Sequence, residues 1–286
     1  MFKRFGKFSG CESGAKKSET ASWPDPKQQW TVIVPFHNES AYLPSCLESL
    51  AAQSPRPRLI LVDNESTDNS AGAARLACDK LGFEAIHLFE GRPGKVAALQ
   101  CGMREVTTEF VATCDADTVY PDNYLAVATK LFARSNAVAA IAATSPIDAT
   151  GFPVGIAGLR LKLTAALLKQ QCLNGGAGQV FRASALLSCG GFDPAIWNWV
   201  LEDHEVMARI ETQGKIAYHR AFHCHPADRR RETDCTGWKL AEQLRYHLTS
   251  SGERVSFFHE YLAPRLRQRA LPSEKLRRIV AIPAVA

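Results

Sequence analysis

The feature that most constrains the fold of this chain is a regular alternation of short apolar runs with segments of helical spacing over residues 30–120. Between the runs, apolar residues recur every three or four positions, as at Leu43, Cys46, Leu47 and Leu50. Strands are predicted over residues 31–35, 59–62, 84–88 and 109–114, and helices over residues 41–53, 68–81 and 94–106. This order predicts an α/β fold with a mostly parallel sheet flanked by helices.

Composition divides the chain into three parts. Of the 286 residues, 46% are hydrophobic and 22% charged, as in an ordinary globular protein. Residues 1–29 are predicted to be a basic segment followed by a linker rich in Ser, Lys, Gly and Pro. Residues 30–225 are predicted to form the folded domain, and residues 226–286 a basic, helical, amphipathic C-terminal region.

Polar side chains follow three of the predicted strands at the point where each strand ends. They are Pro35, Asn38 and Glu39 after the first strand, Asp63 after the second, and Asp115 and Asp117 after the fourth. Parallel strands bring these ends to one edge of the sheet, where open α/β folds bind ligands. Helix capping is the alternative for each segment taken alone. Capping explains the three together poorly, so a shared crevice is predicted.

The pair Asp115 and Asp117 has the chemistry of a metal–phosphate site. Two carboxylates in an Asp-x-Asp spacing on an extended segment point the same way, and hard oxygen ligands suit Mg²⁺ or Mn²⁺. A solvated turn at the end of a strand would carry the same residues. The neighbouring strand ends favour the metal site.

Together these motifs resemble those of family 2 glycosyltransferases with the GT-A fold. The resemblance rests on Val-Pro-Phe-His-Asn-Glu ending at Glu39, Val-Asp-Asn-Glu-Ser ending at Ser66, Gly94-Lys95 before a helix, and Cys-Asp-Ala-Asp ending at Asp117. It extends over residues 30–210 and implies a nucleotide-binding half at 30–120 and an acceptor half at 121–225. As a set the motifs are specific, although each alone is weak.

The resemblance implies roles for residues of the first half. Pro35, Asn38 and Glu39 would shape the pocket for the nucleotide base, and Asp63 would accept a hydrogen bond from a uracil-like imide N–H. Lys95 would lie near the base or the diphosphate; a solvated lysine at the start of a helix is the alternative.

The metal ligands follow from the same comparison. Asp115 would contact the ribose and a metal-bound water, and Asp117 would bind Mn²⁺ or Mg²⁺ directly. His225, or His223, would complete the metal shell. A zinc site built from His219, His223, His225 and Cys224 has no ligand spacing that supports it.

In the second half, Glu202 and Asp203 begin a predicted helix after a Gly-Gly-Phe-Asp segment. The resemblance implies that Asp203 is the general base of an inverting transfer, with Glu202 as the alternate; capping of the helix is the competing explanation. Nearby, Trp197 and Trp199 would either stack on an acceptor or fill the core. Arg229-Arg-Arg231 would clamp a diphosphate or remain solvated.

The expected activity is the transfer of one sugar from a nucleotide-diphosphate sugar, most simply a UDP-sugar, to a hydroxyl of a glycan or lipid-linked acceptor. Such chemistry serves the synthesis of cell-envelope polysaccharides or glycolipids. The Gln-x-x-Arg-Trp signature of processive relatives is absent from the sequence, which favours transfer of a single sugar. No nucleic-acid-binding motif accompanies the basic residues.

Two alternatives remain open at this point. Asp115-Ala-Asp117-Thr-Val also resembles the first motif of haloacid-dehalogenase-type phosphatases, in which Asp115 would be the nucleophile and Asp117 its acid/base partner. That family carries the motif on its opening strand, whereas three strand–helix units precede it here. A binding module without catalysis would keep the nucleotide pocket and lose the base, which the presence of Asp203 disfavours.

Location is predicted from cysteine usage and hydropathy. Nine scattered cysteines with no regular spacing favour a reducing cytoplasm. No apolar run approaches the roughly 20 residues that span a bilayer, and the N-terminal segment lacks the apolar region of a signal peptide. Residues 255–282 mix aromatic and basic side chains, so we expect them either to contact the inner face of a membrane or to pack on the domain.

Overall fold

The computed structural model describes residues 29–144, 172, 176–227 and 237–275. Residues 1–28 of the predicted N-terminal segment and the arginine cluster at 229–231 lie outside the described residues.

Strands and helices alternate as predicted in the first half of the chain. The elements there are β1 (Trp30–Phe36), α1 (Leu43–Ala51), β2 (Arg58–Asp63), α2 (Ser70–Leu81), β3 (Ala85–Phe89), α3 (Lys95–Met103), β4 (Phe110–Cys114), β5 (Thr118–Val119), α4 (Tyr124–Arg134), β6 (Ala137–Ile141) and β7 (Ala143–Thr144).

The second half contains shorter elements. They are β8 (Gly178–Arg182), α5 (Ala183–Ser188), α6 (Glu202–Ile210), a 3-10 turn (Glu211–Gln213), β9 (Lys215–Ala217), β10 (His223–Pro226), α7 (Leu240–Leu248) and a 3-10 turn (Ser251–Glu253). A final helical stretch consists of α8 (Arg254–Ser256), a π-helical segment (Phe257–Leu262) and α9 (Ala263–Gln268).

The main sheet has seven strands in the order β3-β2-β1-β4-β8-β6-β9. The first four are parallel, and β8 runs antiparallel to both β4 and β6. A small sheet of order β5-β10-β7 lies beside the end of β4. The predicted class, a mostly parallel sheet with flanking helices, is confirmed. Because the strand order reverses between β1 and β4, the loops after these strands open a crevice.

Helices cover both faces of the sheet. On one face α1, α2 and α4 pack against the outward side chains of β1, β2 and β4 in one large apolar cluster. Its aromatic centre contains Trp30, Phe110 and Phe132, and the last two rings stack 5.0 Å apart at an interplanar angle of 4°. On the other face α3, α5 and α6 form a second cluster around Ile33, Ile60 and Phe181.

A third apolar cluster fixes the C-terminal helices to the acceptor half. Phe258, Leu262 and Leu266 are fully buried and pack with Trp197, which is 2% exposed. Trp197 therefore fills the core rather than stacking on an acceptor. Of the two alternatives for the C-terminal region, packing on the domain is the one found for residues 255–271, since its aromatic residues face inward.

We expect Phe132→Ala to lower the free energy of unfolding by about 3–5 kcal/mol, because truncating a buried phenylalanine loses its burial and leaves a cavity. Urea denaturation measures the change. Phe89→Ala is the matched control, because Phe89 is 52% exposed and surface truncations usually change stability by less than about 1 kcal/mol. Equal losses in the two variants would contradict the assignment of the core.

Candidate active site

Three segments that are distant in sequence meet at the side chain of Lys95. Lys95 lies at the first position of α3, and its Nζ is 2.5 Å from Oδ1 of Asp115 and 3.9 Å from Oε1 of Glu202. Burial alone would lower the pKa of Lys95, but Asp115 and Glu202 outweigh it and hold that pKa above its ordinary value. A charged lysine thus joins the acid after β4 to the acid pair at the start of α6.

Asn38 connects the loops after β1 and β2. It has a left-handed backbone conformation, with a φ of 57°. Its Oδ1 accepts hydrogen bonds from the backbone N–H groups of Thr67 and Asp68, at 2.7 and 3.2 Å. The backbone N–H of Glu39 donates to Oγ of Ser70 at 2.7 Å. Both loops are therefore held together before any ligand arrives.

Asp63 lies at the end of β2 with one carboxylate oxygen uncommitted. Its Oδ1 accepts a hydrogen bond from the backbone N–H of Ser66 at 2.8 Å, and among the described residues its Oδ2 receives none. This leaves an acceptor at the crevice. Pro35 is buried within β1 at the position paired with Val62, so it contributes to the wall of the crevice through the backbone.

The neighbouring Asn64 shapes the turn that leads into α3. The buried Asn64 side chain donates to the carbonyl oxygens of Glu90 and Arg92, each at 2.8 Å, and accepts from the N–H of Gly94 at 3.0 Å. Gly94 has a φ of 113°, and a side chain there would collide with Oγ of Ser273. Glycine is needed on both counts, and Lys95 is directed by this turn.

Asp115 is positioned by Tyr120, which sequence reasoning missed. The N–H of Asp115 donates to the Tyr120 hydroxyl at 2.8 Å, and that hydroxyl donates to the carbonyl of Ala177 at 2.6 Å. Tyr120 is 2% exposed. One buried phenol thus connects the acidic loop to the glycine-rich segment before β8. An aromatic residue three positions beyond Asp117 gave no sequence signal for this role.

Asp117 lies next to His225 along a short antiparallel ladder. His225 pairs with Val119, and the N–H of Ala227 donates to the carbonyl of Asp117 at 2.8 Å, so His225 is diagonally across from Asp117. The rings of His223 and His225 are 5.1 Å apart. Burial and then His225 lower the pKa of His223, which keeps it neutral, as a metal ligand must be.

The side chains at this edge have the donor types that a hard divalent cation prefers, but they do not converge on one point. In the parts of the chain that the structure describes, no three side chains of His, Cys, Asp and Glu converge as a ready-made site for zinc or for any other metal ion. Asp117, His225 and the second oxygen of Asp115 offer oxygen and imidazole donors at one edge. The remaining positions of an octahedral Mg²⁺ or Mn²⁺ suit oxygens of a phosphate ligand and waters.

Glu202 and Asp203 open α6 in contrasting environments. Burial and then Asp203 raise the pKa of Glu202 to about 7, although Lys95 opposes the rise. Burial would also raise the pKa of Asp203, but His204, the N–H of Gly176 and Lys95 outweigh it and hold that pKa below its ordinary range. Asp203 accepts from Gly176 at 2.5 Å and from the backbone and ring of His204 at 2.8 and 3.0 Å.

Gly176 shows why a glycine-rich segment precedes β8. A side chain at Gly176 would lie 2.9 Å from Nζ of Lys95. Gly176 therefore approaches both the lysine and Asp203 closely, and an added side chain would displace the Lys95 ammonium from its place. The run of glycines was the signal in the sequence; its two contacts were not predictable from it.

The arrangement is that of an open α/β sheet with acids at its ligand-binding edge, and comparison with known proteins identifies the family. The family described as Glycosyl transferase family 2 matches residues 31–185, more than half of the chain. The chain therefore belongs to glycosyltransferase family 2, as the motifs implied.

Curated relatives match over parts of their length. An undecaprenyl-phosphate 4-deoxy-4-formamido-L-arabinose transferase of Serratia proteamaculans is 34% identical over 34% of this chain and 31% of its own length. The dolichyl-phosphate beta-glucosyltransferase of Homo sapiens is 30% identical over 41% of this chain and 40% of its own. The chain thus spans less than half of either relative.

Solved structures share the fold. A mannosyltransferase, PcManGT from Pyrobaculum calidifontis, was solved with GDP-Man and Mn²⁺; it superposes with a TM-score of 0.65 at 24% identity, covering 86% of this chain and 73% of that one. TarS of S. aureus, solved with UDP-GlcNAc, gives a TM-score of 0.55 at 17% identity, covering 82% of this chain and 72% of that one. The phosphatase alternative finds no support in these comparisons.

We expect Glu202→Gln to change the pH dependence of stability. A carboxyl whose folded pKa is raised stabilises the protein below its unfolded pKa, and this contribution is lost as pH rises through the folded pKa. With a rise from 4.5 to about 7, Glu202→Gln should gain up to about 3 kcal/mol relative to the wild type as pH rises over that interval. Chemical denaturation at several pH values measures it.

Glu205→Gln is the matched control for this measurement. Glu205 lies on the same helix and is buried, but hydrogen bonds from His259 and Arg209 overcome its burial and lower its pKa. Its contribution is therefore lost only as pH falls below the unfolded pKa. With His259→Asn as the common background, which removes the imidazole 2.8 Å from Glu205, the stability change caused by Glu205→Gln should stay flat from about pH 5 to about pH 8. Parallel curves for the two variants would contradict the assignment.

Proposed function

We propose that this protein is an inverting, divalent-metal-dependent glycosyltransferase that moves one sugar from a nucleotide-diphosphate sugar, in the first instance a UDP-sugar, to a glycan or lipid-linked acceptor. The observation that carries the proposal is the junction at Lys95, which brings Asp115 of the nucleotide half within reach of Glu202 of the acceptor half. In this proposal residues 30–120 form the nucleotide-binding half, residues 121–225 form the acceptor half, and residues 226–286 form the C-terminal region.

The nucleotide is assigned to the crevice between the loops after β1 and β2. Asn38 and the backbone of Glu39 hold these loops together. Pro35 lies in β1, which leads into the first of the two loops. The uncommitted oxygen of Asp63 can accept a hydrogen bond from the imide N–H of uracil or the corresponding N–H of guanine. TarS and PcManGT, the two solved structures cited above, both superpose with TM-scores above 0.5 and were solved with UDP-GlcNAc and GDP-Man, respectively. These ligands support a nucleoside diphosphate without choosing the base.

The diphosphate is assigned to the edge formed by Lys95, Asp115, Asp117 and His225. Mn²⁺ or Mg²⁺ bound by Asp117 and His225, with Asp115 nearby, would neutralise the charge of the leaving diphosphate. Lys95 supplies a second positive charge close to Asp115. As the diphosphate arrives, Lys95 can exchange one carboxylate partner for a phosphate oxygen, since an ammonium on a flexible stem has three donors.

Asp203 is our choice for the general base. It is partly buried, stays ionised at working pH because of its lowered pKa, and lies beside Gly176, near Lys95. A carboxylate opposite the leaving group takes the proton of the attacking hydroxyl. Glu202 is the alternate, since a group with a pKa of about 7 is well matched to general acid–base work.

A phosphate acceptor is the second candidate. The printed names of the Serratia and human relatives specify undecaprenyl-phosphate and dolichyl-phosphate. A phosphate oxygen is already anionic near neutral pH, so its attack on the sugar carbon needs no base. A lipid acceptor would place the enzyme at the cytoplasmic face of a membrane. None of the described helices is long and apolar enough to cross one.

Nucleotide binding tests the donor assignment. We expect UDP or GDP with Mn²⁺ to raise the thermal midpoint, because a ligand that binds only the folded state stabilises it. The shift should vanish with chelator and in Asp117→Ala. Asp122→Ala changes an exposed acid in the next loop, between β5 and α4; it is the control and should retain the shift. If UDP, GDP, TDP and CMP all fail to shift the wild type, the proposal is wrong.

Turnover and its pH dependence test the base. We expect Asp203→Asn to keep nucleotide binding while kcat falls by about 10²–10⁴, and the wild-type rate to show no loss from the base down to about pH 5, since the pKa of Asp203 is lowered. A loss of rate below about pH 7 that disappears in Glu202→Gln would assign the base to Glu202. Little change in either variant would favour the phosphate acceptor.

A further inference from the structure

The outward face of α7 carries a stripe of leucines that no described residue covers. Leu240, Leu244 and Leu248 are 83%, 60% and 79% exposed. They recur every four residues, which places them on one side of the helix. The opposite side is anchored, because Glu242 and Tyr246 are 3% and 2% exposed. The leucine stripe is therefore a fixed apolar ridge about 12 Å long.

Cations border the leucine stripe on the side that faces α9. The guanidinium groups of Arg245 and Arg265 lie over the ring of Tyr261, with centroid distances of 3.9 and 3.6 Å. Neither forms an ion pair with a described carboxylate. The exposed Lys239 and the partly exposed Arg269 line the same groove; there Arg269 neutralises Glu242 at 2.9 Å. Among the described residues the groove thus holds a net positive charge.

We propose that the leucine stripe and the basic groove beside it form the surface through which this protein binds an anionic bilayer. The leucines would enter the boundary between head groups and acyl chains, and Lys239, Arg245 and Arg265 would contact lipid phosphates at the level of the head groups. The charge of the groove selects an anionic membrane over an apolar protein partner. This proposal rests on the proposed function, because the lipid-linked acceptor belongs to it. It adds the surface that would bring the enzyme to that acceptor.

This surface replaces the one predicted from the sequence. Residues 255–271 have the composition of an amphipathic membrane segment, but Phe257, Phe258 and Leu262 are buried against the domain. The same cluster contains Tyr246 of α7, so α7 packs on the domain through that face and its leucines lie on the opposite, exposed face. A short helix held rigidly by a folded domain loses little conformational freedom on insertion, which offsets its small apolar area.

Flotation with vesicles tests the proposal. The full-length wild type should float with vesicles of phosphatidylcholine and phosphatidylglycerol, and bind at least about tenfold more weakly to phosphatidylcholine alone or at high salt. Leu240→Gln/Leu244→Gln/Leu248→Gln should reduce binding to the anionic vesicles on the order of tenfold or more, since it removes the inserted groups while keeping helix propensity. Leu76→Gln/Leu187→Gln is the control.

The control is matched because Leu76 and Leu187 are also helical and are 56% and 58% exposed, but lie away from α7. Arg245→Gln/Arg265→Gln should weaken binding and flatten its salt dependence. Wild type that fails to float, or a triple variant that floats equally well, overturns the proposal. A wild-type dimer that becomes a monomer in the triple variant overturns it in favour of a second copy of the chain.

Failure here is distinguishable from failure of the proposed function. Vesicle binding is measured without nucleotide, and the thermal shift with UDP or GDP and Mn²⁺ is measured without lipid. The triple leucine variant should keep the nucleotide shift of the wild type, which also shows that it is folded.

Discussion

The partly buried contact of Lys95 with Asp115 and Glu202 is the interaction on which the rest of the site depends. An ammonium group removed from water is costly unless carboxylates face it, and two carboxylates close to one another repel unless a cation lies between them. Each group therefore makes the burial of the others tolerable. Since the three belong to α3, the loop after β4 and the start of α6, their charge balance keeps the two halves of the domain in register.

The same charge balance gives the two acids at the start of α6, Glu202 and Asp203, different pKa values. Glu202 has Lys95 at 3.9 Å but no other strong donor among the described residues, whereas Asp203 receives hydrogen bonds from Gly176 and His204. One carboxyl thus retains a proton more readily, and its neighbour stays charged. Adjacent acids with pKa values driven apart are a common basis for dividing acid and base roles. Here the difference in pKa between Glu202 and Asp203 comes from one histidine and a backbone N–H group rather than from sequence position.

Packing of the C-terminal helices affects both halves of the domain. Phe258 and Leu262 complete the core around Trp197, and Ser273 reaches the Gly94 turn that directs Lys95. The C-terminal region thus packs against the domain and contacts the turn that positions Lys95 of the candidate site. As a further consequence α7 is anchored by Tyr246, which leaves its leucines on the surface. Amphipathic composition alone could not distinguish the helix that faces the core from the helix that faces outward.

The sequence by itself determined the α/β class, the order of the elements from Trp30 to Cys114 and the polar residues that follow β1, β2 and β4, because hydrophobic periodicity and strand-end chemistry are local properties. It did not reveal that β8 enters the sheet antiparallel, or that Tyr120 and Gly176 hold Asp115 and Asp203 in place. Tertiary structure decided which acid carries a raised pKa, where Trp197 lies and which leucines stay exposed. Each of these depends on groups brought together across long sequence separations, and desolvation and Coulomb interactions act through space rather than along the chain.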